Sequence, residues 1–139
     1  LEYQHEQLGL GHAVLCAEKF VNGEPFAVLL GDTIIQSDTP LTKQLTEIYE
    51  QKQNSVIALQ EVPLSIAHRY GVFVGEKINN TLYQGKSVVE KPPKENIPSN
   101  LVFAGRYVLP AEIFDLLKKT PKGVNNEIQL TDGIRQLLQ

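Results

Sequence analysis

The chain has 139 residues, 42% of them hydrophobic and 21% charged, so it can bury a core as one domain and is not a chain disordered throughout. Thirteen Lys and Arg against 16 Asp and Glu leave a formal net charge of −3, the wrong sign for a dedicated nucleic-acid binder. The single cysteine, Cys16, excludes an internal disulfide and a cysteine-built zinc site, and fits a reducing, cytoplasmic setting.

Gly9 and Gly11 lead into a predicted helix over 11–20, where Ala13, Val14, Ala17 and Phe20 recur at helical spacing. Asn22-Gly23-Glu24-Pro25 reads as a turn. The continuous apolar run Phe26 to Leu30 has strand length and ends at Gly31-Asp32; its lack of alternation predicts a strand covered on both faces. A second helix is predicted over 41–53, with Thr39 as N-cap, Pro40 at the first helical position and an acidic, solvated face. Strands follow over 55–62, 71–74 and 82–89, the last two joined by a reversal at Asn79-Asn80. After a proline loop over 92–99 come a strand over 101–109 interrupted by Gly105, a helix from Pro110 to Lys119, a loop over 121–126 and a last helix from Thr131. This order is α/β, with one crossover unit and a strand-rich insertion.

No apolar run approaches the ~20 residues of a membrane span, and no basic region precedes an apolar stretch at the N-terminus. The chain has no methionine and opens Leu1-Glu2-Tyr3-Gln4, so it is expected to be a piece of a longer chain with sheet strands upstream.

Three places could hold chemistry. Asp32 directly follows an apolar strand, and open α/β sheets bind ligands outside the carboxyl ends of their strands. A carboxylate there suits Mg²⁺, although an Asp also serves turns by bonding its own backbone. Glu90-Lys91 pairs a hydroxyl acceptor with a phosphate-binding ammonium, on opposite faces if the strand continues; the alternative is a solvated strand end. Gln4, with Gly9-Leu10-Gly11, offers an amide that can read a base edge and a backbone that a flat base can approach; Gly11 could also serve an anion at a helix start. Here the alternative is a plain loop, and position 14 is Val, so the dinucleotide fingerprint is absent. His5, His12 and His68 lack metal spacing and read as surface or packing residues, and Cys16 as a buried small hydrophobe.

Taken in order, Gln4, Gly9-Leu10-Gly11-His12-Ala13-Val14, Leu29-Leu30-Gly31-Asp32, Arg69-Tyr70-Gly71-Val72, Val89-Glu90-Lys91-Pro92, Gly105-Arg106-Tyr107-Val108 and Glu127-Ile128-Gln129-Leu130-Thr131-Asp132 form a series that resembles the bacterial UTP–glucose-1-phosphate uridylyltransferase family over essentially the whole chain. The resemblance implies a Rossmann-like nucleotidyltransferase fold with a mixed sheet, truncated at its N-terminus, and synthesis of UDP-glucose and pyrophosphate from UTP and glucose 1-phosphate. It implies that residues 1–62 serve nucleoside and metal, and residues 63–139 the sugar phosphate. Gln4 and Gly9 would read uracil, and Asp32 would bind Mg²⁺. Gly71 and Glu90 would hold glucose, and Lys91 the sugar phosphate. A cytoplasmic homo-oligomer is implied for the full-length protein, with no nucleic-acid or membrane partner. Two departures stand out: Thr33 occupies a position where many members have a second acid, and nothing matches the Gly-rich G-x-G-T-R loop that cradles the triphosphate. The isolated 139 residues are therefore expected to turn over little. The competing readings are a uridylyl- or thymidylyltransferase for another sugar 1-phosphate, and a non-catalytic homologue that binds a UDP-sugar.

Overall fold

The computed structural model describes residues 1–138. The helix expected over 11–20 is two short ones, α1 (Leu10–Leu15) and α2 (Glu18–Val21). The apolar spacing runs across the break because the backbone stays nearly helical there, with the Ala17 N–H donating to Val14 O at 2.9 Å and the Val21 N–H to Ala17 O at 2.9 Å. Phe20 nevertheless points outward, 77% exposed, and Cys16 is a half-buried helix-end residue rather than a buried hydrophobe.

β1 (Phe26–Leu29) is followed by α3 (Leu41–Lys52) and β2 (Val56–Glu61). Helix α3 starts at Leu41 as expected, but Thr39 is not its N-cap. Pro40 is its cap, and Thr39 contributes a carbonyl that accepts from the Gln44 side chain at 2.8 Å. A single turn, α4 (Leu64–Ala67), is too short for a periodicity signal. β3 (Gly71–Lys77) and β4 (Tyr83–Glu90) form the expected hairpin, whose reversal is closed by Asn79 Oδ1 accepting the N–H of Thr81 at 3.0 Å and of Leu82 at 2.9 Å. β5 (Leu101–Leu109), α5 (Ile113–Lys119) and α6 (Leu130–Leu137) complete the chain.

Every registered strand pair among the described residues is antiparallel, and β5 is the hub. Val108 pairs with Ala27 on one edge and with Val56 on the other. β1 and β2 therefore run parallel to each other with β5 inserted between them, and α3 is the crossover that joins them. Further along β5, β3 takes over the β1 edge through Val72 and Val102, with β4 outside it.

This order corrects the expectation for β1. Its residues alternate between half-buried and exposed, with Leu29 55% exposed. The strand covered on both faces is β5, whose Val102, Phe103, Tyr107, Val108 and Leu109 are all buried. On one face β5 packs with α1, α5 and α6 around Leu109, Ile113, Leu117 and Ile134; on the other, Leu45 and Tyr49 of α3 cover Val56, Ala58 and Val108. Each fully buried aliphatic side chain there contributes about 1.5–3 kcal/mol of transfer free energy.

The hub strand is not regular along its length. Between Ile57 and Leu59 of β2 the partner in β5 changes from Tyr107 to Phe103, so β5 carries extra residues as a bulge. Gly105 sits in it at φ 67°, where a side chain is strained.

Candidate active site

A cleft of about 430 Å³ opens where the segment after β1 meets the bulge of β5 and the first pair of the β3–β4 hairpin. Asp32, Gly71 and Glu90, from three separate segments, all line it, with Tyr107, Gln129 and Thr131.

Asp32 lies in the turn Leu30–Thr33 that ends β1. The turn is closed by the Thr33 N–H donating to Leu30 O at 3.4 Å, and the Leu30 N–H donates to Gly105 O at 3.0 Å. The Asp32 carboxylate is exposed and accepts from the Thr33 hydroxyl at 3.2 Å. The turn lies directly on the bulge: a Cβ at position 105 would come within 3.0 Å of Thr33 Oγ1 and 3.3 Å of Leu30 Cβ.

Gly71 and Glu90 are directly opposite each other in the hairpin. The Glu90 side chain is only 12% exposed. A Cβ on Gly71 would stand 3.0 Å from Thr131 Oγ1, 3.2 Å from Glu90 Oε2 and 3.3 Å from Phe103 Cδ2. The missing side chain thus leaves a small space bounded by a carboxylate, a hydroxyl and an aromatic edge.

Lys91 does not continue β4. It takes up φ 43°, its N–H donates to Tyr70 O at 3.0 Å, and its Nζ lies 3.6 Å from Glu90 Oε1. Strand alternation would have sent the two side chains to opposite faces; the left-handed turn makes them an ion pair instead.

The Tyr107 hydroxyl connects the two carboxylates electrostatically. Burial above all, then the charges of Glu90 and Asp32, push its pKa up to about 12. It is a neutral hydrogen-bonding group in the cleft at any physiological pH.

Gln4 and Gly9 form a second group. Gln4 Nε2 donates to Gly9 O at 3.1 Å and lies 2.9 Å from His12 Nδ1. Gly9, at φ 101°, is pressed against the 127–128 segment, where a Cβ would come within 2.7 Å of Ile128 O. The Gly11 N–H donates to Ile128 O at 2.8 Å and is not free for an anion. This group meets the cleft through Leu10, which lines it.

Sequence reasoning missed three residues that line the cleft: Tyr107, Gln129 and Thr131. The signal for Tyr107 is Gly105, a glycine inside an otherwise buried strand, which marks a bulge. Gln129 and Thr131 are buried polar groups at the start of α6, and no local pattern announces that.

Among the described residues no group of three or more His, Cys, Asp and Glu is arranged to hold a metal ion. One exposed carboxylate suits Mg²⁺, which takes one or two carboxylates and completes its shell with water and substrate phosphates. Asp32 meets that requirement. No helix among the described residues is long and apolar enough to cross a membrane.

The profile of the nucleotidyl transferase family matches residues 1–139. The class is therefore defined by sequence and fold together: the chain belongs to the nucleotidyl transferase family. Within it, the UTP–glucose-1-phosphate uridylyltransferase of Staphylococcus epidermidis strain RP62A is 52% identical over 134 residues, 96% of this chain and 46% of that protein. The enzyme of the same name from Bacillus subtilis strain 168 is 50% identical over the same shares. A crystal structure of UDP-glucose pyrophosphorylase complexed with UDP-glucose matches with a TM-score of 0.93 at 44% identity, covering 97% of this chain and 52% of that one. A UTP-bound UGPase from Acinetobacter baumannii matches at 0.82 and 40% identity, covering 95% and 46%. The chain spans about half the length of the relatives it matches.

Proposed function

We propose that the protein transfers the uridylyl group of UTP to glucose 1-phosphate, forming UDP-glucose and pyrophosphate. The observation that supports this reading is the convergence of Asp32, Gly71 and Glu90 on one cleft, with the Lys91 ammonium against Glu90. Four types of group that such a reaction needs are then adjacent: a cation-binding carboxylate, a backbone that a sugar can approach, a hydroxyl acceptor and a fixed positive charge.

In this reading residues 1–62 serve the nucleoside and cation, and residues 63–139 the sugar phosphate. Gln4 has its amide nitrogen committed to Gly9 and His12, and its Oε1 accepts from uracil N3–H while the Gly9 backbone packs on the base. Glu90 accepts from glucose hydroxyls, Gly71 offers its backbone amide, and Lys91 exchanges its contact with Glu90 for the sugar phosphate. Asp32 holds Mg²⁺, which when bound offsets charge on the phosphates. An oxygen of the sugar phosphate attacks the α-phosphorus of UTP in line. The new P–O bond forms as the α–β bridging bond breaks, and its electron pair leaves with pyrophosphate. The attacking oxygen is already anionic, so no general base is required and catalysis is positioning and electrostatics. The reading also carries a cytoplasmic location and homo-oligomerisation of the full-length protein.

The test is an assay of the full-length protein with UTP against dTTP, and with the 1-phosphates of glucose against galactose. UTP with glucose 1-phosphate is expected to give the highest kcat/KM; preference for another pair overturns the substrate assignment. Asp32→Ala is expected to abolish turnover, and undiminished turnover removes Asp32 from the reaction. Thr33, standing beside Asp32 in place of a second acid, favours one rival: UDP-glucose binding without any release of pyrophosphate.

A further inference from the structure

Arg106 lies in register with Leu29 on β5, immediately after the bulge. Its guanidinium makes a threefold contact with backbone oxygens. Nη1 donates to Leu30 O at 2.8 Å and to Gly105 O at 2.9 Å, and Nη2 donates to Thr33 O. Leu30 and Thr33 are the first and last residues of the turn that contains Asp32. Among the described residues no carboxylate lies within 4.0 Å of the guanidinium, so its partners are these carbonyls rather than a counter-ion.

Apart from the Leu30 N–H donating to Gly105 O at 3.0 Å, the turn has little else to hold it. Its own closing bond is long at 3.4 Å, Gly31 and Asp32 are exposed, and Ile34 beyond it is 95% exposed. A segment with few buried contacts opens at low free-energy cost. A planar guanidinium with donors in a rigid fork can bridge two carbonyls at once, which a lysine ammonium on a flexible stem does less well. Gly105 completes the arrangement, because any side chain there would displace Thr33 and Leu30.

We propose that Arg106 is a positioning residue: by tying both ends of the Leu30–Thr33 turn to β5 it pre-sets the Asp32 carboxylate for the divalent cation of the reaction. This rests on the reading of Asp32 as the cation-binding residue. Groups that orient a metal ligand without touching the metal typically change its affinity by about 10- to 100-fold when lost.

The experiment uses the full-length protein with Arg106→Lys. In metal-free protein, amide exchange at Leu30 and Thr33, whose N–H groups donate to Gly105 O and Leu30 O, is expected to speed up by about tenfold or more, while exchange in β5 away from the bulge is unchanged. Mn²⁺ binding in the presence of UTP, followed by the electron paramagnetic resonance of the ion, is expected to weaken by about tenfold or more. The KM for glucose 1-phosphate should stay within about twofold, since Glu90 and Lys91 lie on another element. Unchanged exchange at Leu30 and Thr33, unchanged Mn²⁺ affinity, or a KM for the sugar that rises in step with the cation requirement each overturns the proposal; the last marks a general loss of structure. If Arg106→Lys does not fold, Arg106→Gln, whose amide can still reach one carbonyl, takes the same three readouts. Asp32→Asn separates the role of the carboxylate from that of the guanidinium. If it leaves Mn²⁺ binding intact, the reading of Asp32 fails. If it abolishes binding while Arg106→Lys does not weaken it, only the role of Arg106 fails.

Discussion

Lys91 shows how one residue's backbone can set a site. A lysine in the left-handed region costs about 1 kcal/mol relative to ordinary strand geometry. Here that conformation turns the side chain back to within 3.6 Å of the carboxylate of its own neighbour, Glu90. If the ammonium meets the sugar phosphate, Lys91→Ala in the full-length protein should lower kcat/KM for glucose 1-phosphate by about 10²-fold, with the circular dichroism unchanged. Wild-type kinetics would remove Lys91 from the site. The residue types at 90 and 91 were legible from sequence, because an acid and an ammonium at a strand end are a recognisable pair. Their meeting was not, since it depends on β4 stopping at Glu90, where the Lys91 N–H goes to Tyr70 O instead of continuing the ladder. Gln4 and Gly9 were likewise legible as a pair of candidates, but their hydrogen bond requires the chain to fold back over five residues.

Among the elements, the bulge in β5 links the core to the cleft. It interrupts the most buried strand, brings the Gly105 backbone under the Asp32 turn, places Tyr107 in the cleft lining and sets Arg106 against the carbonyls of the turn. Gly105→Ala should therefore be more costly than an average strand substitution. The positive φ and the 3.0 Å approach to Thr33 together predict a loss of about 1–3 kcal/mol, read as a lower midpoint in urea unfolding. A neutral result would mean that the bulge can relax without the glycine. The sequence marked Gly105 as an interruption of a strand. It also bounded β5 at Leu101 and Leu109, because a nine-residue apolar segment between a proline loop and Pro110 has clear ends. What it misassigned is which strand lies at the centre. The apolar run of β1 and the more mixed run of β5 are placed by their neighbours and not by their own patterns, and neighbours about 80 residues apart leave no local trace.

For the molecule as a whole, Tyr107 couples the cleft to stability. Its pKa is about 10 in the unfolded chain and about 12 in the fold. Between those values the native state keeps a proton that the unfolded chain releases, so stability falls as pH rises through that window and the full contribution is present below about pH 10. The total amounts to about 2–3 kcal/mol. Tyr107→Phe should lose less stability than the wild type between about pH 10 and 12 in urea unfolding, and parallel losses would show that the hydroxyl ionises without cost.

The types and order of most of the elements, the candidate groups Asp32, Gly71, Glu90, Lys91, Gln4 and Gly9, and the family resemblance were all present in the sequence, because periodicity, turn residues and short motifs are local properties. The tertiary structure alone decided that β5 enters between β1 and β2, that a bulge in it and Arg106 support the Asp32 turn, and that Tyr107, Gln129 and Thr131 join the cleft. Those facts follow from strand pairing and burial between segments far apart in the chain. The free energy of such contacts is gained only once the segments meet, so it leaves no pattern in either segment alone.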